Sequence, residues 1–497
     1  MAYNVDLPIA SAAKSLRDLE QRVRDDLACL CYPPANWVVP TPGAEPIHDV
    51  VVIGGGMCGL VAGFALLGAG IANIRIFDRS DAGAEGPWLT YARMETLRSP
   101  KQLTGPAYGM ASLTFRAWYV AQFGNDAWAS LDKIPRPMWM DYLRWYREVL
   151  DLPVENNVEV TAVRPEGELL RLTTTGTGAR QTSVLARRVI MATGRDGTGL
   201  PSIPDFIGDL PPAYWAHSSH AIDFATLRDK RVVVVGIGAS AVDNAAEALE
   251  AGAAEVRHLI RRKEMPSINK LMGIGSFGFT AAFPHLGDAR RWQIMNYSFR
   301  TQTPAPRGST MRVSRHPNAY FHFDAAVEAV KREGDELVIE SSQGKPVRAD
   351  FLILGTGFSV DPMARKELYG YADKILLWRD RFTPPEGEEN DQLGNFPYLA
   401  QDFSFLERSP GDAPWLAKIH CFNAGAAASL GKVSGDIPGI SEGASWLVRE
   451  IAAKLYDENF DQYWQRLLDY RTPELRGDEW TASPLPDDMA ADERKQA

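Results

Sequence analysis

Apolar residues at Leu16, Leu19, Val23, Leu27 and Leu30 return every three or four positions, the period of one buried helix face. Pro33, Pro34 and Pro40 then break the pattern. The spacing predicts one amphipathic helix in an N-terminal extension, residues 1–46, packed across the main body. From Val50 the pattern changes to a short continuous apolar run, then glycines, a helix of small residues, and a second strand ending at Asp78. No charged residue occurs between Asp49 and Arg75. Such a length could span a bilayer, but its glycines and its strand–turn–helix order mark a buried βα unit, and the membrane reading is rejected.

Aromatic residues crowd 113–150. Trp139, Tyr142, Leu143 and Tyr146 stand at i, i+3, i+4 and i+7, which predicts a helix with a buried face rather than a substrate box. Residues 157–192 alternate apolar and polar positions around glycine-rich turns, as a β-meander does, and run into Val189-Ile190-Met191-Ala192-Thr193-Gly194. A second strand–turn–helix unit begins at Arg231. Residues 264–320 carry Gly, Phe, Pro and Arg without a period and are expected to form an insertion or lid. A second meander at 320–343 leads into Phe351 to Gly357, repeating the strand-Thr-Gly pattern. Closing helices are expected at about 440–472, and a polar tail at 481–497.

This order predicts an α/β chain with two Rossmann-type dinucleotide-binding domains, one inserted in the other. The first comprises residues 47–204 and 346–480. The second comprises residues 205–345 and carries the insertion at 264–320.

Composition narrows the function. A formal charge of -10 over 497 residues argues against nucleic acid or an anionic membrane surface as the main partner. Four cysteines are too few for a disulfide framework, which points to the cytoplasm. Cys29 and Cys31 complete no zinc site and read as packing residues. No basic segment followed by an apolar stretch opens the chain.

Candidate chemistry starts at Gly54-Gly55-Gly56-Met57-Cys58-Gly59, a G-x-G-x-x-G between strand and helix. Gly54 allows the tight turn, Gly56 lets the backbone approach a pyrophosphate, and Gly59 permits close helix–strand packing. The helix N-terminus offers free N–H groups and a positive dipole end. Asp78, 22 residues beyond Gly56, is placed to accept hydrogen bonds from ribose hydroxyls and to repel a 2′-phosphate, which selects FAD or NAD. Arg79 beside it and Val163 in the meander are taken as further cofactor contacts. Gly273, Gly275 and Gly278 fit the same expression but follow no strand, and are discarded.

Gly236-Ile237-Gly238-Ala239-Ser240-Ala241 repeats the grammar after Arg231–Val235. Here the second strand ends in Arg261-Arg262-Lys263, and guanidinium groups in that place pair a 2′-phosphate. The alternative is a solvated charge cluster. Two sites of opposite charge logic imply two cofactors, FAD and NADPH, joined by hydride transfer.

With these motifs the sequence resembles the class B flavin-dependent monooxygenases: flavin-containing, N-hydroxylating and Baeyer–Villiger enzymes. The resemblance covers roughly residues 48–470. The family's F-x-G-x-x-x-H-x-x-x-(F/Y or W-P) segment is matched at His220 and Phe224, while Tyr214 replaces Phe and Ala216 replaces Gly. Gly86-Pro87-Trp88 falls where the family has a loop near the flavin. Arg98-Ser99-Pro100-Lys101 is similar to its polar turn at the isoalloxazine. Ala192-Thr193-Gly194 and Gly355-Thr356-Gly357-Phe358 resemble its two domain crossings, and Gly435-Asp436 its final flavin turn.

The resemblance implies oxygenation by O2 and NADPH through a C4a-(hydro)peroxyflavin, with NADP+ retained. It implies Arg98, Ser99 and Lys101 as catalytic candidates, with anchoring of FAD the alternative role for their loop. Trp88, Thr193, Gly194 and Asp436 are implied as flavin contacts, and His220 as structural support of the domain connection.

Phe224 and Tyr91-Ala92-Arg93-Met94 lack the Baeyer–Villiger marks, so a small-molecule heteroatom, amine N or S, is the expected target. A ketone substrate is one alternative and a non-oxygenating NADPH-dependent FAD oxidoreductase another. A disulfide reductase would need a cysteine pair near the flavin. A flavin-free lipid-binding escort would not need two intact glycine motifs. Phe277, Phe279, Phe283, Trp292, Tyr297 and Phe299 in the insertion suit a substrate pocket or, equally, a homo-oligomer interface.

Overall fold

The computed structural model describes residues 7–484 apart from Asp196, so most of the expected polar tail lies outside the described residues. Leu16–Cys29 forms α1, capped by Ser15 Oγ, which accepts from Asp18 N at 3.1 Å. It buries Leu19, Val23 and Leu27, whereas Leu30 is exposed because the helix has already ended. Cys29 and Cys31 are exposed at that same end, which overturns the expectation that they pack inside.

Strands β1 (Ile47–Ile53) and β2 (Ile74–Phe77) flank helix α2 (Met57–Gly68) in sequence. Ten consecutive residues of α2, Met57 to Leu66, are buried, so the uncharged stretch is a helix enclosed by protein. No described helix is long and apolar enough to cross a membrane. Helices α3 (Phe115–Ser130) and α4 (Arg136–Val149) follow. The α4 face holds Trp139, Tyr142, Leu143 and Tyr146, all buried as the spacing predicts. Their hydroxyls are satisfied inside: Tyr142 donates to Leu113 O at 2.6 Å and Tyr146 to Pro106 O at 2.8 Å.

After β3 (Val154–Glu155), the meander β4 (Glu159–Glu166), β5 (Leu169–Thr175) and β6 (Gln181–Met191) completes the sheet order β3-β2-β1-β6-β5-β4. The long β6 serves twice: its first half pairs antiparallel with β5 and its second half parallel with β1.

The chain then leaves this sheet through β7 (Gly199–Pro201) and builds a second one from β8 (Trp215–His217) and β9 (Arg231–Val235). Helix α5 (Ala239–Glu250) leads to β10 (Glu255–Leu259). The insertion is helical, with α6 (Phe277–Ala282), α7 (Asp288–Thr301) and α8 (Arg307–Ser314). Its lack of a simple apolar stripe has a physical cause: α7 buries polar Arg291 and Asn296, which donate to Ser429 O and Glu388 O at 2.8 Å each. Phe283 and Trp292 join a core with Trp378, Leu393 and Phe396, while Phe277 and Tyr297 are exposed.

The second meander is shifted from its expected place. Ala319–His322 is β11, parallel to β10, and the antiparallel run is β12 (Val327–Glu333), β13 (Glu336–Ser341) and β14 (Val347–Ala349). With β15 (Phe351–Leu354) the second sheet reads β11-β10-β9-β15-β8, parallel throughout. β16 (Phe358–Val360) runs back along β7, and β17 (Ile419–His420) pairs with β6, returning the chain to the first sheet. The two-sheet α/β architecture agrees with the sequence reading, one sheet standing inside the excursion from the other.

Contacts separate the chain up to Ala452 from a unit beginning at Ala453. The latter contains the helix Phe460–Asp469, on which Phe460, Trp464 and Leu467 are exposed.

Candidate functional site

The first glycine turn excludes side chains at two points. At Gly54, with φ +107°, an added Cβ would stand 2.4 Å from Ala192 O; at Gly59 it would stand 1.8 Å from Gly54 O. Gly56 begins α2 with no side-chain cap, leaving the helix N-terminus open. Buried Asp78 closes one side: Oδ2 accepts from Gly55 N at 2.7 Å and Oδ1 from Ser80 N at 2.8 Å. Beside the turn lies a cavity of about 320 Å³ lined by Gly55, Gly56, Leu60, Met140, Arg144 and Arg147 among others. Uncapped N–H groups and the Asp78 carboxylate fit the diphosphate and ribose of an FAD, while Arg147 in the cavity wall is paired with Glu85 at 2.8 Å.

Other candidates gather around this turn. Gly86 lies against Gly56, 3.8 Å from its would-be Cβ, and brings Trp88 to Trp139 with ring centres 6.2 Å apart. The carbonyl of Ser434, next to the Gly435-Asp436 turn, accepts from Cys58 Sγ at 3.5 Å, which sets that turn on the first residues of α2. Asp436 itself faces Lys432 Nζ at 3.9 Å. Arg79 is exposed beside Asp78, and Val163 is buried in β4, the outermost strand of the meander.

Cys58 and Cys421 are free, buried thiols. Burial pushes Cys58 up to about 12 and Cys421 up as well, so neither is a thiolate poised for disulfide exchange.

The three catalytic candidates part company. Arg98 is exposed, and it donates through Nη2 to Pro304 O of the insertion. Desolvation holds its pKa below the ordinary value, opposed by the attraction of Asp436 and Asp243. Ser99 is half-buried next to it. Lys101 points away: its buried ammonium donates to Trp128 O and Leu131 O, each at 2.7 Å, which holds the loop to the end of α3.

The second glycine turn copies the first. Gly236 has φ +104°, and its would-be Cβ stands 2.8 Å from Gly355 O, the counterpart of Ala192 O. Ala241 in the third place is fully buried, and a Cβ on Gly355 would meet Ala241 Cβ at 2.3 Å, so both positions must stay small. Gly238 caps α5 without a side chain and Ser240 is exposed in its first turn. Arg261 is exposed and Arg262 half-buried. Arg262 donates from Nε to Gln302 Oε1 at 2.7 Å and from Nη1 to Arg300 O at 3.0 Å.

Three residues of this site escaped the sequence reading. His258 is buried, stacked on Phe321 at 5.1 Å, and its Nδ1 bonds Gly236 O at 3.0 Å; burial pushes its pKa down to about 4, so it is the neutral donor. Asn423, fully buried, donates to Met191 O at 3.0 Å and Thr193 Oγ1 at 3.1 Å, while Ala424 N reaches Gly194 O at 3.2 Å. Asp243 on α5 is buried with Oδ1 unbonded among the described residues, and desolvation raises its pKa to about 6. No spacing signals the roles of His258 and Asn423, because each depends on a partner distant in the chain.

The domain crossings lie side by side as β7 and β16, with Ser202 N donating to Gly357 O at 2.8 Å. The sequence reading gives the supporting role to His220. The bond to the crossing is made by His217, whose Nε2 lies 2.9 Å from Gly357 O. His220 Nδ1 accepts from His217 N at 3.2 Å and supports it from behind.

A family model described as pyridine nucleotide-disulphide oxidoreductase matches residues 51–272. An FAD-dependent urate hydroxylase from Xanthomonas campestris pv. campestris is 37% identical over 467 residues, 93% of this chain and 98% of that protein. Among solved structures, an ornithine hydroxylase from Pseudomonas aeruginosa aligns at TM-score 0.64 and 14% identity, over 82% of this chain and 100% of its own. An ornithine N-hydroxylase from Kutzneria sp. 744, in a complex with reduced FAD, NADP+ and L-ornithine, aligns at TM-score 0.62 and 19% identity, over 82% and 100%. At those identities the two structures share the fold.

Proposed function

The chain belongs to the class B flavin-dependent monooxygenases, and from that membership we propose that it uses NADPH and O2 to hydroxylate urate or a planar, anionic heterocycle of the same kind. The observation that carries the substrate class is its end-to-end similarity to the urate hydroxylase.

We read residues 47–204 with 346–480 as the FAD-binding part and 205–345 as the NADPH-binding part. A bound FAD would supply the acceptor for a hydride from NADPH and the electrons for O2 activation, with one oxygen atom going to the substrate and the other to water.

The residues supply binding, orientation and exclusion of water. Gly54, Gly56 and the open end of α2 receive the flavin diphosphate, and Asp78 accepts from ribose hydroxyls through the lone pairs that Gly55 N and Ser80 N leave free. The turn from Gly236 to Ser240 receives the second diphosphate, and Arg261 and Arg262 its 2′-phosphate. Arg98, exposed and held at one side by Pro304 O, offers its remaining N–H donors to an anionic substrate. Ser99 adds a hydroxyl beside it, and Lys101 keeps their loop in place.

Oxygenation of an amine nitrogen or a sulfur is the second reading. Phe224 and Tyr91-Ala92 favour it over a ketone reaction, since they stand where the Baeyer–Villiger marks are missing. Incubation of the FAD-loaded protein with NADPH and, separately, urate, ornithine and a thioether tests the choice by mass spectrometry. Urate turned over one-for-one with NADPH is the expected result; oxygenated amine or sulfide with urate untouched would replace the first reading by the second.

A further inference from the structure

Resting on the reading of the second glycine turn as a nucleotide site, we propose that Gln302, which no motif marks, is a ligand of that nucleotide. Its carboxamide oxygen aims Arg262 at the 2′-phosphate, and its Nε2 donates to the diphosphate received at Gly238.

The geometry gives the two ends of one amide two tasks. Oε1 accepts from Arg262 Nε at 2.7 Å. That bond takes the side of the guanidinium and leaves Nη2 unbonded among the described residues, while Nη1 is used by Arg300 O. Nε2 makes no hydrogen bond among the described residues, and it stands 3.5 Å from where a Cβ of Gly238 would be. The missing Cβ of that glycine is what lets a phosphate approach the backbone, so a free amide donor there faces the space a diphosphate enters.

The backbone supports a constrained role. Gln302 caps the C-terminus of α7 at φ +54°, a conformation that favours glycine, yet it carries a long polar side chain. A strained position kept by a residue that bridges two elements of a site is a mark of function. Two residues on, Pro304 O accepts from Arg98, so one short segment joins the nucleotide reader to the arginine read as the substrate's anion partner.

The test is calorimetric titration of the FAD-loaded full-length protein with NADP+, NAD+ and adenosine 2′,5′-bisphosphate, using Q302A, Q302E, Q302G and R262A. Q302A is expected to weaken NADP+ binding about tenfold, the loss of roughly one hydrogen bond to a charged group. It should also narrow the preference over NAD+. Q302E keeps an acceptor for Arg262 but sets a carboxylate against the diphosphate, and should weaken NADP+ and NAD+ alike. Q302G relieves the backbone while removing the amide; loss of binding with unchanged flavin content then excludes misfolding.

Q302A and Q302G binding NADP+ as the wild type does, while R262A binds it weakly, overturns the role of Gln302 and leaves the nucleotide site standing. A wild-type protein that binds NADP+ no better than NAD+, with R262A unchanged, overturns the 2′-phosphate reading and this proposal with it.

Discussion

Asp78 and Gly55 are joined by a 2.7 Å hydrogen bond from the glycine N–H to the carboxylate, so the residue proposed to select the ribose also locks the glycine turn. Removing the carboxylate strikes both tasks. Asp78→Ala is expected to weaken FAD binding about tenfold or more, the scale of a hydrogen bond to a charged group. The ratio of flavin to protein absorbance after dialysis measures it. Full flavin retention would remove Asp78 from the site.

The paired turns make separable predictions. Gly54→Ala forces a Cβ to 2.4 Å from Ala192 O at φ +107°, and Gly236→Ala forces one to 2.8 Å from Gly355 O at φ +104°. Each should cost about 2 kcal/mol or more, from left-handed strain plus the clash. Gly54→Ala should emerge colourless. Gly236→Ala should stay yellow but resist reduction by NADPH, which absorbance at the flavin band reads directly.

Lys101 and Arg98, three positions apart on one loop, should separate stability from catalysis. Lys101→Met leaves the carbonyls of Trp128 and Leu131 without their donor, and should lower the melting temperature. Turnover of the surviving enzyme should change little. Arg98→Ala should leave melting nearly unchanged and reduce kcat/KM for an anionic substrate about tenfold to a hundredfold. The reverse pattern would exchange their roles.

Buried titratable groups set an acid limit of known sign. His217 and His258 are pushed down to about 4 by burial, so between pH 6.5 and about 4 the unfolded chain takes up protons that the folded one refuses, and stability falls as pH drops. Asp243, raised to about 6 by desolvation, acts oppositely: its ionisation costs stability as pH rises from about 4 to 6. His258→Asn should therefore flatten the acid slope by roughly one proton, about 1.4 kcal/mol per pH unit. Asp243→Asn should gain stability over the wild type as pH rises through that window and hold the gain above it. Denaturation at a series of pH values checks both.

The glycine turns were legible because each glycine answers a local demand of the backbone, as at Gly54 and Gly236. The α4 face was legible because its aromatics bury on a simple helical period. Helix α7 was not, since it buries Arg291 and Asn296 on hydrogen bonds to residues near 390 and 430 instead of an apolar stripe. The same holds for Asn423, whose partners at Met191 and Thr193 are over two hundred residues away. At the domain crossing the motif marks His220, which accepts from His217 N, while the direct contact to Gly357 is made by His217, which no motif marks.

Turnover under 18O2 tests the monooxygenase function itself. The FAD-loaded protein is reduced anaerobically with NADPH, then mixed with 18O2 and urate, and product and hydrogen peroxide are both quantified. Bleaching of the flavin by NADPH, one 18O atom in each product molecule and little peroxide is the expected outcome. Bleaching followed by one peroxide per NADPH and no label in urate, ornithine or thioether would contradict it.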